Sequence, residues 1–285
     1  MINMYTKILD DPDKYRQFNL GESLVARFEC PLETKFNDIW SKHNYIVYVT
    51  EGRKIWHTPK GAYDLQKGNC AFIRKGANIM EQFFDHRFCM ILFYVPDEFI
   101  VETLKNKSFG KTNDDFQPIF PISTNTILES FFNSMISYFN SNKVPDSFLL
   151  ELKFRELIFT IADEDRNHEI LSYFGSLISE PRSVSLNRIM EENLSFNLSL
   201  EDFAALCNRS LSAFKRDFKK LYNTSPGKWL LEKRLSLAMH ILKNSDKTVT
   251  ETAFESGFEN PAHFSRSFKD QFGISPSMIR QSKSA

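Results

Sequence analysis

Two short rows of polar side chains near the C-terminus carry the most specific chemistry of the chain. Ser212, Lys215, Arg216 and Lys219 are followed fifty residues later by Ala262, Ser265, Arg266 and Lys269. The apolar residues around them recur too, since Phe214, Phe218 and the pair Ser225-Pro226 become Phe264, Phe268 and Ser275-Pro276. At about 100° per residue, Phe214, Phe218 and Leu221 share one side of a helix, and the polar row lies nearly opposite. Phe264, Phe268 and Phe272 repeat that apolar side. Hydroxyl, guanidinium and ammonium donors in such rows suit phosphate oxygens and the guanine edge in a DNA major groove. Asn260 and His263, near the start of the second helix, extend the donor set, whereas Ala262 offers only a methyl contact or reading by shape. A single basic face is often just a solvated surface. Its recurrence at matching offsets from matching core residues favours a function.

The elements that position these rows can be read as well. Ser199 with Asp202, and Thr248 with Glu251, stand three apart ahead of apolar helical positions, the spacing of a capping box. Leu200, Phe203 and Ala204 match Val249, Thr252 and Ala253 at an offset of 49. Four residues after each alanine comes Asn208 or Gly257, the types that best tolerate the left-handed backbone ending a helix. The small alanine lets the next helix cross closely, so each copy predicts a helix-turn-helix. One extra turn residue in the second copy raises the offset to 50. Between the copies, Ser225 caps and Pro226 begins a helix with Leu231, Leu235, Ala238 and Leu242 on one stripe. A linking helix of roughly 16 residues spans about 24 Å. Reading helices about 34 Å apart would meet successive major grooves on one face of a duplex, and the pattern permits that spacing.

With 285 residues the chain exceeds one average domain, and two are expected. Charge is uneven between them: residues 1–180 hold 20 Lys+Arg against 25 Asp+Glu, and residues 181–285 hold 16 against 11. The basic part is the one with the repeat, as a phosphate-binding domain requires. Cys30, Cys70, Cys89 and Cys207 contain no CxxC pair and suit a reducing cytosol. The N-terminus lacks the apolar centre of a signal peptide, and no apolar run approaches the length of a membrane span. A soluble, cytoplasmic protein without membrane contact is expected. The 28 phenylalanines read as dense aromatic cores.

From about Leu24 to Val95 the chain reads as short strands. Gly52, Gly61, Gly68 and Gly76 separate apolar runs including Tyr45 to Val49, Ile55-Trp56, Ala71 to Ile73 and Cys89 to Val95. Turns at this spacing predict an antiparallel sandwich or small barrel. After Pro96 the pattern turns helical, over Ile127 to Phe139, Phe148 to Ile161 and Glu169 to Ile178. The second of these is apolar over much of its circumference and needs cover from the barrel or from a second subunit. The expected fold class is α+β: an N-terminal antiparallel β-barrel with trailing helices over 1–178, a linker at 179–185, and an all-α domain over 186–285 with two helix-turn-helix motifs joined by a linking helix.

The doubled motif, the linking helix Pro226 to Leu242 and the run AFESGFENPAHFSRSFKDQFGISP from Ala253 to Pro276 resemble the AraC family of bacterial transcription regulators. The resemblance covers about Leu186 to Arg280. It implies that Ser212, Lys215, Arg216, Lys219, Asn260, Ala262, His263, Ser265, Arg266 and Lys269 face DNA. The run YVTEGRKIWHTPKGAYDLQKGNCAFIRKGA resembles the cupin-type regulatory barrel of that family. With Leu152 to Ile161, it is most similar to the subgroup that includes activators of type III secretion genes. In that subgroup the first domain supports self-association and can be governed by a protein partner instead of a small molecule. Implied, therefore, is an activator that binds double-stranded promoter DNA, contacts RNA polymerase, forms a homodimer through its first domain and needs no cofactor.

Two rival functions fit the residues less well. A cupin-type metal enzyme or ligand sensor would gather histidines, but His43, His57 and His86 lack an HxH pattern. His168 follows a charged loop, and His240 lies in the linking helix. No metal ligand or catalytic residue is therefore assigned. A sequence-neutral architectural DNA binder would have little use for two differing polar rows, and the second half holds only five excess positive charges.

Overall fold

The computed structural model describes residues 1–29, 32–110, 115–141, 143–179 and 182–281. The chain forms two compact units, 1–180 and 181–285. In the first, β1 (Ile2–Asn3), α1 (Met4–Leu9), β2 (Gln17–Leu20), β3 (Ser23–Glu29) and β4 (Phe36–Ser41) lead into the predicted strand region. There follow β5 (Asn44–Glu51), β6 (Arg53–Thr58), β7 (Gly61–Gln66), β8 (Cys70–Ile73), β9 (Gly76–Gln82) and β10 (Cys89–Val95). The turn glycines 52, 61, 68 and 76 all have positive φ, which tight hairpin connections between these strands require. At Gly52 a side chain is also excluded by space, because a Cβ there would meet the Arg87 carbonyl at 2.4 Å.

The expected closed barrel is not what these strands build. Among the described residues they form two sheets, ordered β1-β4-β9-β6-β7 and β11-β8-β5-β10-β3-β2, where β11 is Ile119–Ile122. Closure would require the edge strands of one sheet to pair with those of the other, and no such ladder exists here. Pairing is antiparallel except between β1 and β4. β11 was absent from the sequence-based expectation, which placed only helices beyond Pro96. It carries Pro121 and pairs with β8 at the end of its sheet, where a residue lacking N–H is tolerated.

Between the sheets lies one core, with Ile39, Trp56, Leu65 and Met80 facing Leu24, Val47, Met90, Leu92 and Tyr94. The opposite face of the six-stranded sheet carries a second core. There Val25, Ile46, Phe72, Ile91 and Phe93 meet α2 (Asp97–Leu104), α3 (Thr126–Asn140), α4 (Ser147–Ala162) and α5 (His168–Ser179). Every residue of β10 is buried, which explains an apolar run with no alternation: neighbouring residues point into different cores. Aromatic rings fill the helical side, Phe93 lying 5.7, 6.1 and 5.2 Å from Phe131, Phe132 and Phe154.

The apolar α4 is covered from within on one side, through Leu150, Phe154, Leu157, Ile158 and Ile161. Its outer side keeps Phe148, Leu152 and Phe159 at 78, 63 and 48% exposure. The stretch read as a linker is shorter than 179–185: α5 continues to Ser179 and α6 (Arg182–Glu192) begins three residues later, with 180–181 outside the described residues. Cys30 also lies outside them.

Replacing Phe93 by Ala removes a fully buried ring from the centre of that aromatic cluster. Chemical denaturation followed by circular dichroism should show the first unit losing about 3–5 kcal/mol.

Candidate nucleic-acid interface

The second unit is helical throughout its described secondary structure. After α6 come α7 (Leu200–Leu206), α8 (Leu211–Tyr222), α9 (Pro226–Asn244), α10 (Val249–Glu255), α11 (Pro261–Phe272) and α12 (Pro276–Gln281). Both capping boxes form. Ser199 accepts from the Asp202 N–H and Thr248 from the Glu251 N–H at 3.1 Å each, and each acid returns to the cap backbone. Asn208 (φ 52°) and Gly257 (φ 88°) take the left-handed conformation that turns the chain into α8 and α11. Gly257 has a further constraint, since a Cβ there would meet the Leu194 and Ser195 carbonyls at 3.0 Å and Nε of Arg234 at 2.8 Å.

Arg234, on α9, is a positioning residue that sequence reasoning passed over. It donates to the carbonyls of Leu194 and Phe196 at 2.7 Å each, closing the connection between α6 and α7. Burial draws its pKa down to about 10, far enough above neutrality that the guanidinium stays charged. Lys233 pairs with Glu191 at 2.7 Å, and Tyr222 donates to Asn187 at 2.6 Å, so α6 is tied to both α9 and α8. No periodicity marks these contacts, because each joins residues some 35 to 42 positions apart.

The inward faces of the two reading helices are anchored by Phe214 and Phe218 and by Phe264 and Phe268, all fully buried. Phe218 packs on Tyr222 and Trp229, with centroids at 4.5 and 5.7 Å. Phe264 and Phe268 share a core with Leu235, Ala238 and Leu242 of α9. Leu221, expected on the buried stripe, is instead 46% exposed. At the offset of 50, Phe272 corresponds to Tyr222, and it is Tyr222 that turns toward Trp229; Leu221 corresponds to exposed Gln271.

Outward from these anchors stand the expected site residues. Ser212, Lys215, Arg216 and Lys219 on α8, and Ala262, His263, Arg266 and Lys269 on α11, are all exposed, while Ser265 is half-buried. Among the described residues no ion pair engages Lys215, Lys219, Arg266 or Lys269. Asn260 has a structural duty that the sequence reading did not assign: its amide oxygen caps α11, accepting from the N–H groups of Ala262 and His263 at 2.8 and 3.1 Å. Ser210 does the same for α8. His263 lies 3.4 Å from the Ser267 hydroxyl and 5.9 Å from the Phe258 ring, which orients the imidazole along the helix.

In the first unit, the histidines weighed as metal ligands take individual partners. His57 meets Glu81 at 2.8 Å, buried His43 lies 3.8 Å from Glu22, and exposed His86 lies 3.4 Å from Asp85. Among the described residues no three His, Cys, Asp or Glu side chains gather as a metal site would require. Among the described residues no helix is long and apolar enough to cross a membrane.

Comparison with known proteins agrees with both halves. Residues 44–173 match the ExsA N-terminal regulatory domain, and residues 203–282 match a helix-turn-helix domain. The thermoregulatory protein LcrF of Yersinia pestis and the virulence regulon transcriptional activator VirF of Yersinia enterocolitica are each 26% identical over 245 residues, which cover 84% of this chain and 90% of theirs. The transcriptional regulator ExsA of Pseudomonas aeruginosa is 32% identical over 132 residues, 46% of this chain and 47% of ExsA. A regulatory domain followed by paired basic reading helices is the plan of a DNA-binding transcription regulator. The chain belongs to the AraC family of such regulators.

Substitution of Gly257 by Ala should be costly here, since the left-handed backbone and the two facing carbonyls both oppose a Cβ. A loss of about 1–3 kcal/mol in thermal unfolding is expected, and a smaller one for the same change at Gly273, where the backbone is also left-handed (φ 75°) but no atom lies within 4 Å of a Cβ.

Proposed function

We propose that this protein is a cytoplasmic transcription activator whose α8 and α11 enter successive major grooves on one face of promoter DNA while its surface contacts RNA polymerase. The observation that carries this is the outward placement of two matching polar rows, each opposite a pair of buried phenylalanines on a shared scaffold. The helix between them, α9, has 19 residues and so spans about 28 Å, of the same order as one turn of B-DNA at about 34 Å. Arg216 and Arg266 are the candidates for bidentate contact with guanine. Lys215, Lys219 and Lys269 suit phosphates, as do the hydroxyls of Ser212 and Ser265. His263 adds a donor, Ala262 a methyl surface, and the Asn260 amide nitrogen is left for DNA once its oxygen has capped the helix.

The first unit is proposed to regulate the second, under a small-molecule or protein effector, and to pair with its counterpart in a homodimer through the outer face of α4. Phe148, Leu152 and Phe159 recur there at one helical side and stay exposed in the single chain. VirF is described as a virulence regulon activator. A regulon of that kind, with type III secretion genes among its members, is the proposed target. The chain is proposed to act without catalysis or cofactor, as its relatives are transcription regulators.

Arg216→Ala and Arg266→Ala should each cost roughly 1–3 kcal/mol on a selected duplex and relax preference at one base pair, whereas Lys219→Ala should weaken binding about equally on all sequences. Footprints and titrations against random competitor DNA check this, and equal affinity of the wild type for both would favour the architectural binder instead. Leu152→Asp should shift the protein toward monomer in sedimentation without changing its circular dichroism.

A further inference from the structure

Arg216 is the one site cation that, among the described residues, has a carboxylate partner. Its Nε and Nη2 both lie 3.3 Å from Oδ1 of Asp217. The other carboxylate oxygen, Oδ2, accepts from Nε of Arg209 at 3.2 Å. Arg209 in turn donates through Nη1 to the carbonyl of Cys207, the residue that closes α7, at 2.9 Å. A line of charged hydrogen bonds thus runs from the turn of the first helix-turn-helix to the outer edge of its reading helix. The Arg209 side chain is 13% exposed and that of Arg216 is 74% exposed, so the line starts anchored and ends in solvent.

We propose that Asp217 is a positioning residue for Arg216, gripping the inner edge of the guanidinium so that its outer edge is presented to a base. A guanidinium carries five N–H donors in a planar fork. Asp217 occupies the edge formed by Nε and Nη2, which leaves the edge formed by Nη1 and Nη2, the pair that matches N7 and O6 of guanine. Ordering a long side chain before binding removes part of the entropy that docking would otherwise cost. The carboxylate also repels the phosphates of any duplex. Asp217 therefore opposes binding to every sequence and is compensated only where Arg216 meets its base, which is how discrimination is built. Among the described residues the second helix-turn-helix lacks this device. Ser267 stands at the equivalent position, its hydroxyl turned to His263 at 3.4 Å, and no carboxylate pairs with Arg266 among the described residues. The first helix-turn-helix is consequently the more exacting base reader.

This inference rests on Arg216 meeting a base edge, and the test separates the two. Full-length wild type, Asp217→Asn and Arg216→Ala are each used to select duplexes from a random-sequence pool, the bound DNA is sequenced, and affinity for the unselected pool and thermal melting are measured alongside. The pair with Arg216 is exposed and adds little stability, but Arg209 is only 13% exposed, so Asp217→Asn should melt only slightly below the wild type. It is expected to lose preference at the same base pair as Arg216→Ala, by about tenfold, and to bind the unselected pool at least as tightly as wild type. If Asp217→Asn keeps the wild-type motif, or loses a different base pair, while Arg216→Ala loses one, the positioning role is wrong and the arginine's role stands. An unchanged motif for Arg216→Ala overturns both. Loss at all positions with lowered melting assigns Asp217 to packing and ends the inference.

Discussion

Everything that the second unit offers to solvent depends on two phenylalanines in each copy being withdrawn from it. The reading helices α8 and α11 have 12 residues each. Isolated helices of that length are marginal in water, so propensity alone would not hold a row of cations in line. Burial of Phe214, Phe218, Phe264 and Phe268, each contributing about 1.5–3 kcal/mol, fixes both the existence and the rotation of these helices. Once that side is committed to the core, Lys215, Arg216 and Lys219 have nowhere to point but outward, and the same holds for Arg266 and Lys269.

The two copies are tied to one another through α9, which presents Trp229 to the first phenylalanine pair and Leu235, Ala238 and Leu242 to the second. Arg234 adds a second tie. Its guanidinium holds the connection between α6 and α7 while resting against the turn at Gly257 in the other copy. The spacing of the reading helices is thus set by side chains packed on a single rod, not by a hinge. Within that common frame the copies differ at the outward surface, where Arg216 is held by a carboxylate and, among the described residues, Arg266 pairs with none.

What was legible in the sequence was what local physics determines. Capping boxes, left-handed turn residues and the positive-φ glycines each act within a few positions, and each appeared where expected. The helices predicted over Ile127 to Phe139 and Phe148 to Ile161 differ from α3 and α4 by one residue at either end. Long-range pairing was less legible. β11 joins β8 across nearly fifty residues, and nothing in the run Ile119 to Ile122 announces that partner. Whether the described strands close into a barrel or stop as two sheets depends on which edges meet, and alternation along a strand does not encode that. The site showed the same division. The phenylalanine rows revealed which side chains face out, but Leu221 was misplaced because the buried stripe continues from Phe218 to Tyr222, four residues on, where Trp229 covers it. The duty of Asn260 as a cap was hidden by its position among plausible DNA donors.

In the first unit, β10 forms a party wall between the two cores, with Met90 to Val95 buried alternately on one side and the other. Neither the helical layer nor the facing sheet can be peeled away without stripping that strand. Its amide protons should therefore exchange with water only when the whole unit opens, as expected of a single cooperative block. A displacement on the helical face cannot be absorbed by local fraying near this strand. It must either be carried across to the far sheet or be released at the margins, where the edge strands and chain ends are free to give.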